Sequence, residues 1–507
     1  MKVFLKPFIL LIPLLAGLMM MDGCHKELFS TKGALSFSGD TLTFDTVFTT
    51  LGSVTQSFTI RNTQNKSLNI SDIKLLQLAG TQYRISIPPF PAATAGIEYK
   101  NIDIPAHDSL YVFVEVTINP NTANNPFIVL DQIKFVTNGI TQDVTLEAMG
   151  QNAHYYFSYQ VLRGATFTFP TDKPNIIVNK NGGLPIFAVD TWATCIIPAG
   201  CKIFMAPNAV MTVDGTLNAL ATSWSDSTIF QYIRTDYGGL PGQWLGITYS
   251  RKATINMSHV IIDQSTFGIS DEYVLDEIAQ AQITTSNLTT NYINSPSQQP
   301  AITLNNVIIR NTTTTAMQAI CTKLTATNCL FFSSEGVLIQ IGMGGTYNIT
   351  NCTFANNYGS PGNTQNPILN IIDEIPSYLS TGPPVGPYAT TVNINNTIVA
   401  GNTGQNGDQL GFLLLQQASD HLSFNNCFLT APFDSISAYA TNTNNIDTAV
   451  DPQQSLSPML FTSPQNNNYM PDSASIVIGR GNDSTHLDLY GYSRSPNPCI
   501  GAIQWHH

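Results

Sequence analysis

The chain has 507 residues and a net charge of −12, from 33 acidic against 21 basic side chains. Only 11% of residues are charged, against about 25% in ordinary soluble domains, and the sequence holds no basic run or basic–aromatic cluster, which excludes nucleic acid as a partner. The length leaves room for two or three domains, and Ser, Thr and Asn supply the polarity that charge does not, as suits stacked strands on which like charges would repel.

The first segment reads as an export signal. Lys2 and Lys6 precede an apolar run over residues 7–20, broken only by Pro13 and Gly17. Met21-Asp22-Gly23-Cys24 resembles a bacterial lipobox, with Asp22 departing from its usual small or apolar residue. The resemblance implies a lipoprotein signal peptide over 1–23, lipid on Cys24 and a tether over 24–34. An uncleaved anchor, or a signal peptide with an incidental Cys, is the other reading. His25-Lys26-Glu27 resembles the export signal of surface lipoproteins in Bacteroidetes. The expected location is the cell envelope, as an outer-membrane lipoprotein on its periplasmic or surface side, held to the membrane by its lipid. No second apolar run is long enough to cross a bilayer.

Residues 35–151 alternate apolar and polar in short runs with turn residues between them, as in Ser57-Phe58-Thr59-Ile60 and Leu110-Tyr111-Val112-Phe113-Val114. That pattern predicts an antiparallel sandwich of about seven strands. Phe44-Asp45-Thr46-Val47-Phe48-Thr49-Thr50, Ile104-Pro105-Ala106-His107-Asp108-Ser109 and Phe135-Val136-Thr137-Asn138-Gly139 resemble the Ig-like domain that opens Bacteroidetes β-helix lipoproteins. The resemblance implies a spacer or cap. Asn152-Ala153-His154-Tyr155-Tyr156 reads as the joint to a second domain.

Within the second domain, expected over 155–505, another periodicity takes over between Ile255 and Leu429. A motif of alternating apolar and polar residues, then Asn or His, then a small apolar residue recurs at His259, Asn306, Asn328, Asn351, Asn396 and Asn426. Asn306 and Asn328 are 22 residues apart and Asn328 and Asn351 are 23 apart. The alternation puts Ile302 and Leu304 on one face of a strand and Thr303 and Asn305 on the other. Asn tolerates the left-handed conformation that a sharp bend needs. A fixed period near this length marks a solenoid of parallel strands, in which Asn306, Asn328, Asn351, Asn396 and Asn426 form a hydrogen-bonded ladder and Val260, Val307, Cys329, Cys352, Thr397 and Cys427 stack inside. The pattern resembles the right-handed parallel β-helix of pectate lyases, phage tailspikes and adhesins. The expected fold is all-β: an Ig-like sandwich, then a right-handed parallel β-helix. A sandwich with regular Asn turns is the alternative, but it needs no fixed period.

The eight cysteines divide in the same way. Cys24 goes to lipid, and the phased ones behave as small apolar residues with free thiols. Cys195 and Cys201 are the best candidate pair for a disulfide.

No catalytic set, cofactor or metal site is expected: no His-x-x-x-His spacing appears, and nothing matches the paired carboxylates of a glycosidase. Two inserts between motif copies are candidate ligand loops. One carries Asp271-Glu272-Tyr273 and Asp276-Glu277, read first as a solvated helix start. The other carries Asp373, Glu374, Tyr378 and Tyr388, and its tyrosines could stack on sugar rings or pack back on the coil. Arg310 is the candidate base of a polyuronate lyase, with an ordinary surface Arg as its plain reading. The function expected is binding or display on an extended polymer, a polysaccharide, or a structural surface role. A carbohydrate-active enzyme on the same fold is the alternative, resting on fold analogy alone.

Overall fold

The computed structural model describes residues 29–78, 82–179, 182–271, 299–356, 367–373, 387–401, 410–413, 420–429, 441–443, 445–447, 460–484 and 486–506. Among these, regular structure is β-strand with short 3₁₀ turns, and no helix is long and apolar enough to cross a membrane. The chain divides into two compact units, Met1–Asn152 and Ala153–His507.

The first unit is a sandwich of a four-stranded and a five-stranded sheet, nine strands where about seven were expected. Alternation buries one side of each strand. Leu68, Ile70, Ile73 and Leu75 of Leu68–Leu75 are fully buried, and the three-residue step from Ile70 to Ile73 is absorbed by a bulge against the neighbouring strand. Val112 and Val114 from the other sheet close the same core. Most pairings are antiparallel, but Thr41–Phe48 lies parallel to Ile140–Gln151.

The second unit is a coil of parallel strands with three faces, as the period implied. Lys323–Thr327 lies on a first face, Leu330–Ser334 on a second and Ile339–Gly342 on a third, and Thr346–Thr350 returns to the first. Each strand pairs in parallel with its counterpart one turn on: Ile302↔Leu324, Leu324↔Tyr347, Tyr347↔Val392 and Val392↔Leu422 along the first face. These five side chains point inward and are at most 3% exposed. The observed fold is therefore all-β, an antiparallel sandwich and a parallel β-helix.

The bend between first and second faces is made by one residue per turn. His259, Asn306, Asn328, Asn351, Asn396 and Asn426 have φ of 53°, 54°, 52°, 53°, 50° and 56°, the left-handed region in which Asn costs least among non-glycine residues. The next residues form the inner stack. Val260 pairs with Val307, the Cys329 amide donates to Cys352 Sγ at 3.4 Å, and the Cys352 amide donates to Thr397 Oγ1 at 3.2 Å. All seven described cysteines are buried and free, Cys195 and Cys201 included. That pair is not a disulfide; both thiols fill the apolar interior.

Candidate functional site

The asparagine column bonds to itself only in part. Asn396 Nδ2 donates to Asn351 Oδ1 at 2.6 Å and Asn426 Nδ2 to Asn396 Oδ1 at 2.9 Å, while Asn306 Nδ2 lies 3.0 Å from His259 Nε2. Between these stretches the C-terminal segment supplies the partners. Asn328 donates to the Leu487 carbonyl at 2.8 Å and accepts from Arg494 Nη2 at 3.2 Å. Asn351 donates to Asp483 Oδ2 at 2.7 Å, and Asn426 to the Arg480 carbonyl at 2.9 Å. Behind this edge, Leu460, Phe461, Tyr469, Val477, Leu489 and Ile500 pack on the outward residues of the second face, Ile308, Leu330, Phe332, Ile398 and Phe428. From Ile308 to Phe428 the second face and its corner are thus closed by the chain's own tail. Sequence reasoning missed this, because the tail is irregular and carries no period.

Arg310 stands on the second face, in register with Phe332. Its Nε and Nη2 both lie 2.8 Å from Asp263 Oδ2, and Asn311 Nδ2 donates to Asp263 Oδ1 at 2.7 Å. Arg310 and Asp263 are register partners on adjacent turns. A guanidinium engaged by a carboxylate is a structural cross-link. This arrangement supplies no base.

The candidate loop residues separate. Asp373 is fully buried and Tyr388 is 7% exposed, with the Tyr388 amide donating to the Asp373 carbonyl at 2.8 Å. A ring so enclosed presents no face to a sugar, so Tyr388 is corrected to a packing residue. Asp420 lies nearby, and burial, with the Asp373 carboxylate adding to it, raises its carboxyl above the ordinary value despite a bond from the Thr390 amide. Asp271 is also buried. Glu374, Tyr378, Cys24, Glu272, Tyr273, Asp276 and Glu277 lie outside the described residues. Among the described residues no group of His, Cys, Asp and Glu is arranged to hold a metal ion.

The first face is different in kind. Its outward side chains stand in columns across the strands. One column runs Thr166, Thr194, Thr216, Thr254, Ala301, Lys323, Thr346, Thr391 and His421. The next runs Thr168, Ile196, Asn218, Asn256, Thr303, Thr325, Asn348, Asn393 and Ser423. All are exposed or half-exposed. Lys323 is the one formally charged side chain in either column. Asn256 Nδ2 donates to Asn218 Oδ1 at 2.9 Å and Asn393 Nδ2 to Asn348 Oδ1 at 3.0 Å, which orients the amides and leaves each with further donor and acceptor capacity.

At the edge of this face stands a residue the sequence pattern did not single out. Strands of the third and first faces are joined by residues 162–165, 190–193 and 250–253, in register with one another. The third position of each turn is left-handed: Gly164 at φ 74°, Trp192 at 67° and Lys252 at 65°. Trp192 is 65% exposed, the one tryptophan of the chain that is. The signal was present as the aligned endings Gly164-Ala165-Thr166, Trp192-Ala193-Thr194 and Lys252-Ala253-Thr254.

No protein-family model matches the chain, and no curated protein matches it by sequence. Among solved structures it is similar to PapD-like domain 7 (an ASH domain) of human CEP192, at TM-score 0.16 and 8% identity, covering 25% of this chain and 90% of that domain. It is also similar to a family 123 glycoside hydrolase from Clostridium perfringens, at TM-score 0.17 and 9% identity, covering 26% of each chain. Likenesses at this level assign neither family nor activity.

Proposed function

We propose that this protein is a cell-envelope lipoprotein, anchored through Cys24, whose β-helix holds an extended neutral polysaccharide along its first face. The observation that carries the reading is the pair of Thr/Asn columns. They repeat hydroxyls and amides at each turn, about 4.8 Å apart along the coil, and about 6.6 Å apart along a strand, two residues on. A sugar polymer laid along the axis meets a hydroxyl or an amide from at least one column at every turn, and a solenoid's length suits an extended ligand. The scarcity of charge favours a neutral polymer, since an anionic one calls for a row of cations. The second face from Ile308 to Phe428, closed by the tail, is not available to it. The enzyme alternative gains no residue, because Arg310 is engaged by Asp263 and Asp373 is buried.

The test is retention of the full chain on immobilised neutral and anionic polysaccharides. Retention on at least one neutral polymer, insensitive to added salt, is the expected result; none, with the fold intact by circular dichroism, would leave only a structural role. Anchoring is tested separately by incorporation of labelled fatty acid, expected in the wild type and lost in Cys24→Ala.

A further inference from the structure

We infer that Trp192 is an aromatic platform on which one pyranose ring of a neutral glycan stacks, beside the second turn of the Thr/Asn columns. The inference rests on the proposed glycan binding and places a subsite within it. Three observations meet at this corner. First, the backbone is costly for any side chain: Trp192 is left-handed where the equivalent residue one turn earlier is Gly164, and a left-handed non-glycine residue costs about 1–2 kcal/mol, as it does at Lys252. Second, the indole gains little burial in return, being 65% exposed, although a ring of this size is normally highly buried. Its one described ring contact is weak: the exposed Lys252 ammonium lies 5.7 Å from the ring centroid. A side chain that is costly to the backbone and left in water is explained by what it meets outside the chain.

Third, the turn between Trp192 and Lys252 is short. In the intervening turn Asp214 and Gly215 replace a four-residue connection. A Cβ on Gly215 would fall 2.3 Å from the Ala193 carbonyl oxygen and 2.5 Å from that of Asp190, so no side chain can stand there. The indole and Lys252 belong to connections two turns apart, with no side chain from Gly215 between them. Thr194 stands two residues beyond Trp192 as the second member of the first column, with Thr216 and Thr254 following it and Asn218 and Asn256 in the second. A sugar with its C–H face on the indole would turn its ring hydroxyls toward these groups. Aromatic stacking supplies area at little entropic cost, and the hydroxyl and amide columns supply direction.

The experiment titrates the full chain with neutral gluco-, manno- and xylo-oligosaccharides, read by tryptophan emission, beside retention on the parent polymers. Trp192→Gly and Trp192→Phe are compared with wild type, and each is melted. The expected result is a saturable blue shift in wild type and a loss of about ten-fold in affinity in Trp192→Gly. Trp192→Phe should retain part of the affinity, and the glycine variant should melt no lower than wild type. Equal affinity in wild type and Trp192→Gly would overturn the platform and leave the glycan reading standing. Failure of the wild type to bind any neutral polymer would overturn both. A fall of several degrees in the melting temperature of Trp192→Gly would assign the indole a packing role and overturn the inference.

Discussion

Arg494 Nη2 lies 3.2 Å from Asn328 Oδ1 and 2.9 Å from the Gly501 carbonyl oxygen, so one fully buried guanidinium joins a corner of the coil to the tail that covers it. Nη2 also donates to the Ala502 carbonyl and Nη1 to that of Cys499, at 3.0 and 3.2 Å. The planar fork of Arg satisfies acceptors in several directions at once, which an ammonium does not. Arg494→Ala strands these acceptors and should cost about 3 kcal/mol in denaturant unfolding. Arg494→Lys should recover little of it. The tail should become the first site of limited proteolysis in both variants, and wild-type resistance there would contradict the clamp.

Asn396 allows the two roles of a corner residue to be separated. Its side chain is fully buried, donates to Asn351 and accepts from Asn426 Nδ2 and the Asn482 amide, while its backbone is left-handed. Asn396→Ala loses the bonds and strains the backbone; Asn396→Gly loses the bonds alone. Both should lower stability, with Ala worse than Gly by about 1 kcal/mol. Equal losses would mean that the bend itself contributes nothing.

Periodicity decides how much of this architecture was legible in the sequence. Asn306, Asn328 and Asn351 announce the coil because each turn solves the same bend with the same residue, and Ile302 and Leu304 announce the core because strand alternation has a period of two. The tail is unreadable by such means. Asp483, Leu487 and Arg494 reach the corners through loops, and only the folded coil defines where their partners stand. Trp192 was missed for another reason: its left-handed backbone belongs to the turn's length and register, which show only when the endings of successive turns are aligned. Tyr388 and Asp373 looked like loop residues because Gly and Pro surround them, yet a loop that returns to the coil buries its ends.

The interior thiols predict an alkaline limit to stability. Burial pushes Cys195, Cys201 and Cys427 each up to about 12, from an ordinary value of 9.0. A thiol whose pKa is raised by folding stabilises the protein fully below the unfolded value, and that contribution is lost as pH rises through the folded one. Stability should therefore hold to about pH 9 and fall towards pH 12, each thiol adding up to about 1.4 kcal/mol per pH unit. Cys→Ala at all three should flatten that slope while lowering the neutral-pH plateau through the small cavities left behind. The native thiols should also resist an aqueous thiol reagent until the chain unfolds, and fast labelling of the native protein would contradict their burial.

Arg310 and Asn256 give opposite signatures if the first face holds the ligand. Arg310 is cross-linked to Asp263, whose side chain is 10% exposed. Arg310→Ala leaves that carboxylate with the Asn311 bond and should cost roughly 1–3 kcal/mol of stability, with Asp263→Asn non-additive with it. Because this pair lies on the second face and not the first, glycan retention should not change. Asn256 is half-exposed in the second column, where its amide bonds Asn218. Asn256→Ala should shift stability by no more than about 0.5 kcal/mol and weaken glycan binding by about five-fold, as expected for one hydrogen bond to a hydroxyl. The reverse outcome, binding lost with Arg310→Ala and kept with Asn256→Ala in equally folded proteins, would move the ligand from the first face to the tail-covered edge.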